Sequence, residues 1–110
     1  MLELWQAEWC PASRRVRERL TELGVDYVIR QVPAEKQRRE ALREVTGAET
    51  IPALVLEDGT AVIGEDAIRR LLDEMFAEPA EAAAHRLRAA RARRRYLEEE
   101  CPPCPHPVTP

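Results

Sequence analysis

The feature that most restricts the fold of this chain is a tight hairpin signal placed after a strand–helix–strand pattern. Asp58-Gly59 separates two short apolar runs, and this dipeptide favours a two-residue turn between antiparallel strands. Before it, residues 2–9 and 25–32 are rich in strand-forming side chains, whereas residues 11–23 carry apolar residues at helical spacing. A hairpin that follows a strand–helix–strand unit implies a mixed central sheet covered by helices.

The remaining apolar spacing places one helix after the second strand and another after the hairpin. Residues 34–46 predict a polar helix. Its narrow apolar stripe consists of Ala41, Leu42 and Val45. Gly64-Glu65-Asp66 then leads into an amphipathic helix that ends before Pro79. The order β-α-β-α-β-β-α predicts one α/β domain over residues 1–78, with a mixed four-stranded sheet and helices on both faces.

The composition of the chain changes after this domain. Residues 79–100 are mainly alanine, arginine and glutamate, which predicts a long C-terminal helix. The thin apolar stripe of that helix is Leu87, Ala90 and Leu97. We expect the helix to lie across the domain or against a second copy of the chain, so its role in self-association stays open. Residues 101–110 hold five prolines, which exclude helix and sheet and predict an extended, flexible tail.

Charge and hydropathy exclude several classes of function. The net charge of −3 argues against a protein whose main role is to bind nucleic acid. The basic segment Arg86–Arg95 is interpreted as a solvated helix face, with a nucleic-acid or acidic-partner patch as the alternative. No apolar run approaches the roughly 20 residues of a membrane span, and Met1–Trp5 does not begin an export signal. We therefore expect a cytoplasmic protein with no membrane partner, in which cysteines are free, metal-bound or catalytic.

Cys10 is the residue whose position carries the most chemistry. It follows the first strand and directly precedes the first helix, where unsatisfied backbone N–H groups stabilise a thiolate and lower its pKa. Pro11 suits the first helical turn, and Ser13 can donate a hydrogen bond to the sulfur but cannot resolve a mixed disulfide. Arg14 and Arg15 add positive charge that solvent screens. The alternative interpretation is that Cys10 is only a small buried apolar residue.

Two further short motifs have ordinary explanations when each is taken alone. Thr50-Ile51-Pro52 precedes a strand, and its proline is most simply a strand-start residue. Gly64-Glu65-Asp66 opens the helix after the hairpin, where acidic residues are expected from capping and the helix dipole. Neither motif assigns a ligand by itself.

In combination, the three motifs resemble the thioredoxin-like superfamily, specifically glutaredoxins and the amino-terminal domain of glutathione transferases. The resemblance covers residues 2–77. Cys10-Pro11-Ala12-Ser13 is similar to the C-P-x-[CAS] helix start of these proteins, and Thr50-Ile51-Pro52 is similar to their T-V-P element, whose proline is cis. Residues 62–68 are similar to the final segment that grips glutathione. The order and spacing of the motifs therefore imply a thioredoxin-like fold.

The resemblance also implies roles for these residues. Cys10 would form a mixed disulfide with glutathione. The Thr50-Ile51-Pro52 segment would pair its Ile51 backbone with the cysteinyl part of that tripeptide. Glu65 and Asp66 would hold the γ-glutamyl amine and carboxylate at the start of their helix.

The function implied by these roles is that of a glutaredoxin-like thiol–disulfide oxidoreductase of the monothiol type, because Ser13 replaces a second cysteine. Its co-substrate would be glutathione or another low-molecular-weight thiol, and its partners would be glutathionylated or disulfide-containing proteins. The alternative is a non-catalytic glutathione-binding or protein-interaction module whose C-terminal helix mediates assembly.

The sequence departs from the family pattern in ways that bear on activity. Glutaredoxins usually carry a lysine shortly before the cysteine, whereas Gln6, Ala7 and Glu8 stand in that region here. We expect the loss of this cation and the gain of Glu8 to raise the pKa of the thiol. A transferase also needs a helical second domain, which the roughly 30 residues after the resemblance are too few to form, so we expect no transferase activity. An iron–sulfur role is disfavoured, because the monothiol glutaredoxins that carry iron–sulfur clusters have C-G-F-S, whereas this chain has C-P-A-S.

The tail contains a second cysteine motif, Cys101-Pro-Pro-Cys104. With His106 it offers three zinc ligands, one short of a closed site, and the chain gives no firm metal assignment. The two thiols could instead resolve a mixed disulfide on Cys10, supplying the group that Ser13 lacks. The simplest interpretation remains an extended tail with incidental cysteines.

Replacement of both tail cysteines by serine tests the resolving hypothesis. If the tail dithiol resolves the Cys10 mixed disulfide, C101S/C104S slows turnover of a disulfide substrate at limiting glutathione. A steady-state assay over a range of glutathione concentrations measures this, with C101S and C104S singly as controls. Unchanged turnover in the double variant refutes the hypothesis.

Overall fold

Four short strands form one mixed sheet in the computed structural model, which describes residues 1–93. The elements, in chain order, are β1 (Leu2–Gln6), α1 (Pro11–Leu23), β2 (Tyr27–Gln31), a 3₁₀ turn (Lys36–Arg38), α2 (Glu40–Thr46), β3 (Ala53–Val55), β4 (Ala61–Ile63), α3 (Glu65–Met75) and α4 (Ala82–Arg93). The strand order is β2-β1-β3-β4. β1 pairs parallel with β2 and antiparallel with β3, and β3 pairs antiparallel with β4. The predicted element order and mixed sheet are confirmed.

The main core lies between one face of the sheet and helices α1 and α3. Side chains alternate along β1, so that every second residue points to this face and is buried. The buried apolar cluster consists of Leu2, Leu4, Val16, Leu20, Leu23, Leu54, Ile68 and Leu72. Each fully buried leucine contributes about 1.5–3 kcal/mol relative to an exposed one, so this cluster fixes both helices against the sheet.

The opposite face of the sheet is covered by a smaller element than the sequence predicts. The predicted helix over residues 34–46 is divided into the 3₁₀ turn and the seven-residue α2. Of its predicted stripe only Leu42 is buried, whereas Ala41 and Val45 are exposed. A helix of two turns presents few residues to one surface, and Leu42 packs there with Val32 and Ala53.

The first two strands end or begin inside their predicted bounds because of turns at the ends of α1. β1 stops at Gln6 and not Trp9, since the Cys10 N–H donates to the Ala7 carbonyl at 3.2 Å and closes a turn. β2 starts at Tyr27 and not Val25, because the Val25 N–H donates to the Leu20 carbonyl at the capped end of α1 and is not available to the sheet.

Helix α4 packs across α1 through small and polar side chains. Ala82 is buried and His85 and Ala89 are half-buried, whereas Leu87 is 59% exposed and Ala90 is exposed. The predicted stripe of Leu87 and Ala90 is therefore wrong, and Leu97 lies outside the described residues.

His85 of α4 lies against the end of α1. Its Nδ1 lies 3.1 Å from the Glu22 carbonyl oxygen, and Arg86 pairs with the Glu22 carboxylate. Alanines allow this close approach of the two helices, which the apolar spacing of the sequence does not reveal. Among the helices of residues 1–93, none has both the length and the apolar character of a membrane span.

The Gly24 position gives a direct test of how α4 docks. Gly24 and Gly47 both end helices with a positive φ, of 70° and 76°. Only Gly24 has a neighbour in the space of a Cβ atom, the His85 Cε1 at 3.1 Å. We expect G47A to lower the free energy of unfolding by about 1 kcal/mol from backbone strain and G24A by about 2 kcal/mol or more.

Chemical denaturation of both variants measures the difference. The additional loss in G24A should shrink when His85 is also replaced by alanine, which removes the contacting ring. Equal losses in G24A and G47A would show that α4 does not pack against Gly24.

Candidate functional site

The sheet register brings the three sequence motifs to one edge of the molecule. Trp5 is opposite Ala53, and Ala53 is opposite Ile63. The end of β1, the start of β3 and the end of β4 therefore lie side by side. The second and third motifs directly adjoin β3 and β4, and one turn separates Cys10 from the end of β1. The Gly64 N–H also donates to the Pro52 carbonyl at 2.9 Å, which joins two of the motifs directly.

Cys10 is the N-cap of α1. Its backbone is extended, with φ −82° and ψ 119°, and its sulfur accepts a hydrogen bond from the Ser13 N–H at 3.4 Å. Pro11 occupies the first helical turn, where its missing N–H costs no helical hydrogen bond. The cysteine is partly exposed, so it is not the fully buried apolar residue of the alternative interpretation.

The surroundings of Cys10 favour the thiolate. Partial burial by itself would raise the pKa of Cys10. Hydrogen bonds from Ser13 and Ala12, together with the charge of Arg15, outweigh burial and hold the pKa below the ordinary cysteine value. Ser13 is itself buried, and its Oγ accepts a hydrogen bond from the Ala7 N–H at 3.4 Å, which fixes the hydroxyl beside the sulfur.

The residue that was expected to oppose ionisation, Glu8, is engaged elsewhere. Its carboxylate accepts a hydrogen bond from Gln6 Nε2 at 2.9 Å and lies 3.8 Å from the Arg17 guanidinium. Hydrogen bonds from Ser13 and Ala12 do most to lower the pKa of Cys10 in the absence of that lysine, and the charge of Arg15 adds a smaller contribution. The pKa therefore remains low despite both departures from the family pattern.

Arg15 connects the cysteine to the start of α3. Its Nε donates to Glu65 Oε2 at 2.6 Å, and Arg69 donates to the same oxygen at 3.3 Å. The Arg15 hydrogen bond is the main reason that the pKa of Glu65 lies below its usual range. The sequence predicts Arg15 only as a surface charge that solvent screens. Its ion pair with Glu65 could not be predicted, because the two residues are 50 positions apart in the chain.

The segment before β3 has the backbone geometry that the resemblance implies. The Ile51–Pro52 peptide bond is cis. Pro52 is buried, Ile51 is half-buried and Thr50 is exposed. Within residues 1–93, the Ile51 backbone makes no hydrogen bond, because β3 pairing begins at Ala53. This edge is therefore able to pair with the backbone of a peptide.

The start of α3 adds a charged end to this edge. Gly64 is its N-cap and provides no side chain, and Glu65 and Asp66 occupy the first turn. The Glu65 side chain is only 15% exposed, whereas Asp66 is exposed. The seven predicted site residues of the folded domain thus belong to segments that meet at the same end of the sheet. Those residues are Cys10, Ser13, Thr50, Ile51, Pro52, Glu65 and Asp66.

Cys10 lines one cavity, and a second cavity shares Glu8, Arg14 and Glu18 with the first. An open cavity of about 350 Å³ surrounds Cys10, with Trp9 at its rim, and is otherwise lined by Glu8, Pro11, Arg14, Arg15 and Glu18. A larger cleft of about 630 Å³ lies between α1 and α4 and is lined largely by arginine and glutamate side chains. Trp9 is 59% exposed, so the cavity that contains Cys10 has an aromatic side chain at its rim.

The metal and resolving hypotheses concern residues beyond this site. Residues 1–93 contain no cluster of three or more histidine, cysteine or acidic side chains that could hold a metal ion. Cys101, Cys104 and His106 lie outside the described residues, so their proposed roles stay predictions.

The Ser13 hydroxyl offers a test of how the sulfur is ionised. Ser13→Ala removes one hydrogen bond to Cys10 and keeps the backbone N–H, so we expect the pKa of Cys10 to rise. The rate of Cys10 alkylation as a function of pH measures the change. Thr21→Ala is the matched control, because its hydroxyl lies on the same helix and donates to the Arg17 carbonyl. An unchanged titration curve for Ser13→Ala would contradict this account.

Comparison with known proteins agrees with the geometry. The family model described as "Glutathione S-transferase, N-terminal domain" matches residues 9–75. A glutathione S-transferase from Rhodospirillum rubrum F11 is 28% identical, with a TM-score of 0.62 over 90% of this chain and 46% of that one. A glutathione S-transferase domain-containing protein from Marinobacter aquaeolei VT8 is also 28% identical, with a TM-score of 0.60 over 83% and 50% of the two chains.

A third structure shows the same fold at lower identity. A glutathione transferase homolog from Sulfitobacter, solved with bound glutathione, is 22% identical and has a TM-score of 0.62 over 86% of this chain and 48% of that one. The search of curated proteins gave no match. The chain spans half or less of the length of these solved structures. From the family match and the thioredoxin-like arrangement of its sheet, the chain belongs to the glutathione S-transferase N-terminal domain family.

Proposed function

We propose that this chain binds glutathione at the edge formed by Ile51–Pro52 and the start of α3, and that it uses Cys10 in thiol–disulfide exchange. The observation that carries the proposal is a partly exposed cysteine with a lowered pKa at a helix start. It lies on the same edge as a peptide backbone that is free to pair. The glutathione bound to the Sulfitobacter homolog supports the choice of ligand.

Glutathione suits the charges of this edge. Its γ-glutamyl end carries an ammonium group and a carboxylate. Glu65 accepts hydrogen bonds from Arg15 and Arg69 through Oε2, which leaves Oε1 to accept from the ammonium group. The N–H groups at the start of α3 suit the carboxylate. The cysteinyl part then reaches the Ile51 backbone beside Cys10.

The reaction begins with the Cys10 thiolate, which attacks the glutathionyl sulfur of a protein–glutathione mixed disulfide. The protein–glutathione S–S bond breaks as the Cys10–glutathione bond forms, and the released protein thiolate takes a proton from water. A second glutathione, as thiolate, then attacks the glutathionyl sulfur on Cys10. This step releases oxidised glutathione and returns Cys10 as a thiolate. Ser13 cannot form a disulfide, so the second thiol must come from outside the C-P-A-S motif.

The second candidate is a non-catalytic binding module that assembles through its C-terminal helix. Leu87, 59% exposed on α4, is the observation that favours it, because an assembly that covers this side chain gains the free energy of burying it. This module binds glutathione or a protein without turnover. The two candidates therefore differ in whether Cys10 is needed.

Replacement of Cys10 by serine separates the two candidates. We expect C10S to lose essentially all reductase activity with a glutathionylated peptide, because serine cannot form the mixed disulfide. Glutathione binding should persist in this variant, since the Ile51 backbone and the α3 start are unchanged. A coupled assay of oxidised glutathione measures activity, and calorimetry measures binding.

The wild-type thiol provides the control in the same experiment. Alkylation of Cys10 against pH should give a midpoint below that of free cysteine. Bound glutathione should slow alkylation by covering the sulfur. Glutathione binding without turnover in the wild-type protein favours the binding module, and the absence of binding rejects both glutathione-dependent functions.

A further inference from the structure

A buried arginine lies behind the proposed glutathione edge and has no part in the chemistry described so far. Arg39 precedes α2 and is only 5% exposed. Its Nε donates to the Pro33 carbonyl at 2.8 Å, and its Nη2 donates to the Ala34 carbonyl at 3.0 Å. Its Nη1 donates to the Glu49 carbonyl at 2.6 Å. One guanidinium thus joins the segment after β2 to the segment before β3.

The partners of Arg39 are unusual for a buried cation. A buried charge is ordinarily paired with a carboxylate, because desolvation is costly. Among the described residues, Arg39 instead bonds three backbone carbonyls. The planar fork of a guanidinium can hold several acceptors in fixed directions, which a lysine cannot do. The arrangement therefore fixes the path of the backbone and does not neutralise an acidic side chain.

Glu49 is held from a second direction as well. Arg43, one helical turn after Arg39, donates through Nη1 to Glu49 Oε2 at 2.7 Å and to the Lys36 carbonyl at 3.0 Å. Both the backbone and the side chain of Glu49 are thus tied to the region around α2. Only Thr50 separates Glu49 from Ile51.

On the other side of Ile51, the Pro52 carbonyl accepts from the Gly64 N–H at 2.9 Å. Thr50 and Ile51, which have no regular strand pairing, therefore lie between two residues whose carbonyls are held by hydrogen bonds, Glu49 and Pro52. Of these two hydrogen bonds, only the one at Glu49 depends on an ionised side chain.

We propose that Arg39 is the positioning residue of the glutathione edge: through the Glu49 carbonyl it sets the direction in which the Ile51 backbone faces the ligand. This inference rests on the proposed function for its ligand. The hydrogen bond from Arg39 to the Glu49 carbonyl, called the clamp below, lies within the protein and does not depend on the ligand. Removal of the Arg39 guanidinium releases the Glu49 carbonyl, while Arg43 still holds the Glu49 side chain. The Ile51 backbone then samples several directions and pays an ordering cost when glutathione binds.

The test compares R39Q and R39K with R38Q. Arg38 is the matched control, because it is the adjacent arginine, its side chain is 71% exposed, and it makes a 3.8 Å pair with Glu35. Calorimetry measures glutathione affinity, alkylation against pH measures the pKa of Cys10, and NMR relaxation measures the order parameters of Thr50 and Ile51. We expect R39Q to weaken glutathione binding roughly tenfold, R39K to fall between R39Q and wild type, and R38Q to match wild type.

Two readouts distinguish positioning from a general loss of structure. The pKa of Cys10 without ligand should be the same in R39Q and wild type, because Arg39 is not among the groups that shift it. The order parameters of Thr50 and Ile51 should fall from the rigid value of about 0.85 toward about 0.6, with the β1 and α1 values unchanged. If R39Q does not fold, the same measurements on R39K decide the question.

Two results would overturn the inference. One is wild-type glutathione affinity in a folded R39Q, or in R39K if only that variant folds. The other is unchanged order at Thr50 and Ile51. Failure of the proposed function has a different signature, since wild-type protein would then not bind glutathione while the order parameters still report on the clamp.

Discussion

The site depends on one capping interaction, in which the sulfur of Cys10 accepts the Ser13 N–H at the start of α1. A helix begins with N–H groups that lack backbone partners, and here a thiol and not a hydroxyl or carboxylate satisfies one of them. The same contact that begins the helix therefore favours the ionised sulfur. Because β1 ends at Gln6 and a turn closes at Cys10, the sheet also determines where this sulfur lies.

The parts of the site that could be predicted from the sequence are those that depend on local backbone geometry. Cys10 before Pro11, Pro52 before a strand and Gly64 before a helix each mark a short segment whose conformation is set by a few neighbours. Their convergence could also be predicted from the family resemblance, and the register Trp5–Ala53–Ile63 explains it physically. The cis bond before Pro52 came from the resemblance alone, since a proline in sequence does not specify its isomer.

The parts that could not be predicted are the long-range polar contacts. Arg15 pairs with Glu65 across 50 positions, and Arg39 reaches carbonyls on two separate segments. An arginine has the same appearance in a sequence whether it is solvated or buried, because its hydrogen-bonding partners are fixed only by the tertiary fold. The error at α4 has the same origin. Apolar spacing favoured Leu87, whereas alanines and the polar His85 lie against α1.

The contact between α1 and α4 has a consequence for the cleft that lies between these two helices. Arg86 of α4 pairs with Glu22 of α1 and attaches the two helices directly. Arg19, also on α1, pairs with Asp73 of α3 and with Glu78 in the segment that leads into α4, so these ion pairs hold that segment in place. The side chains of Asp73, Glu78 and Arg86 are each more than half exposed, and dissolved ions weaken such pairs over a Debye length of about 8 Å at physiological ionic strength. Few large apolar side chains join the two helices. Ionic strength thus controls how firmly the wall of the cleft is held, while the leucine-rich core beneath the thiol is unaffected.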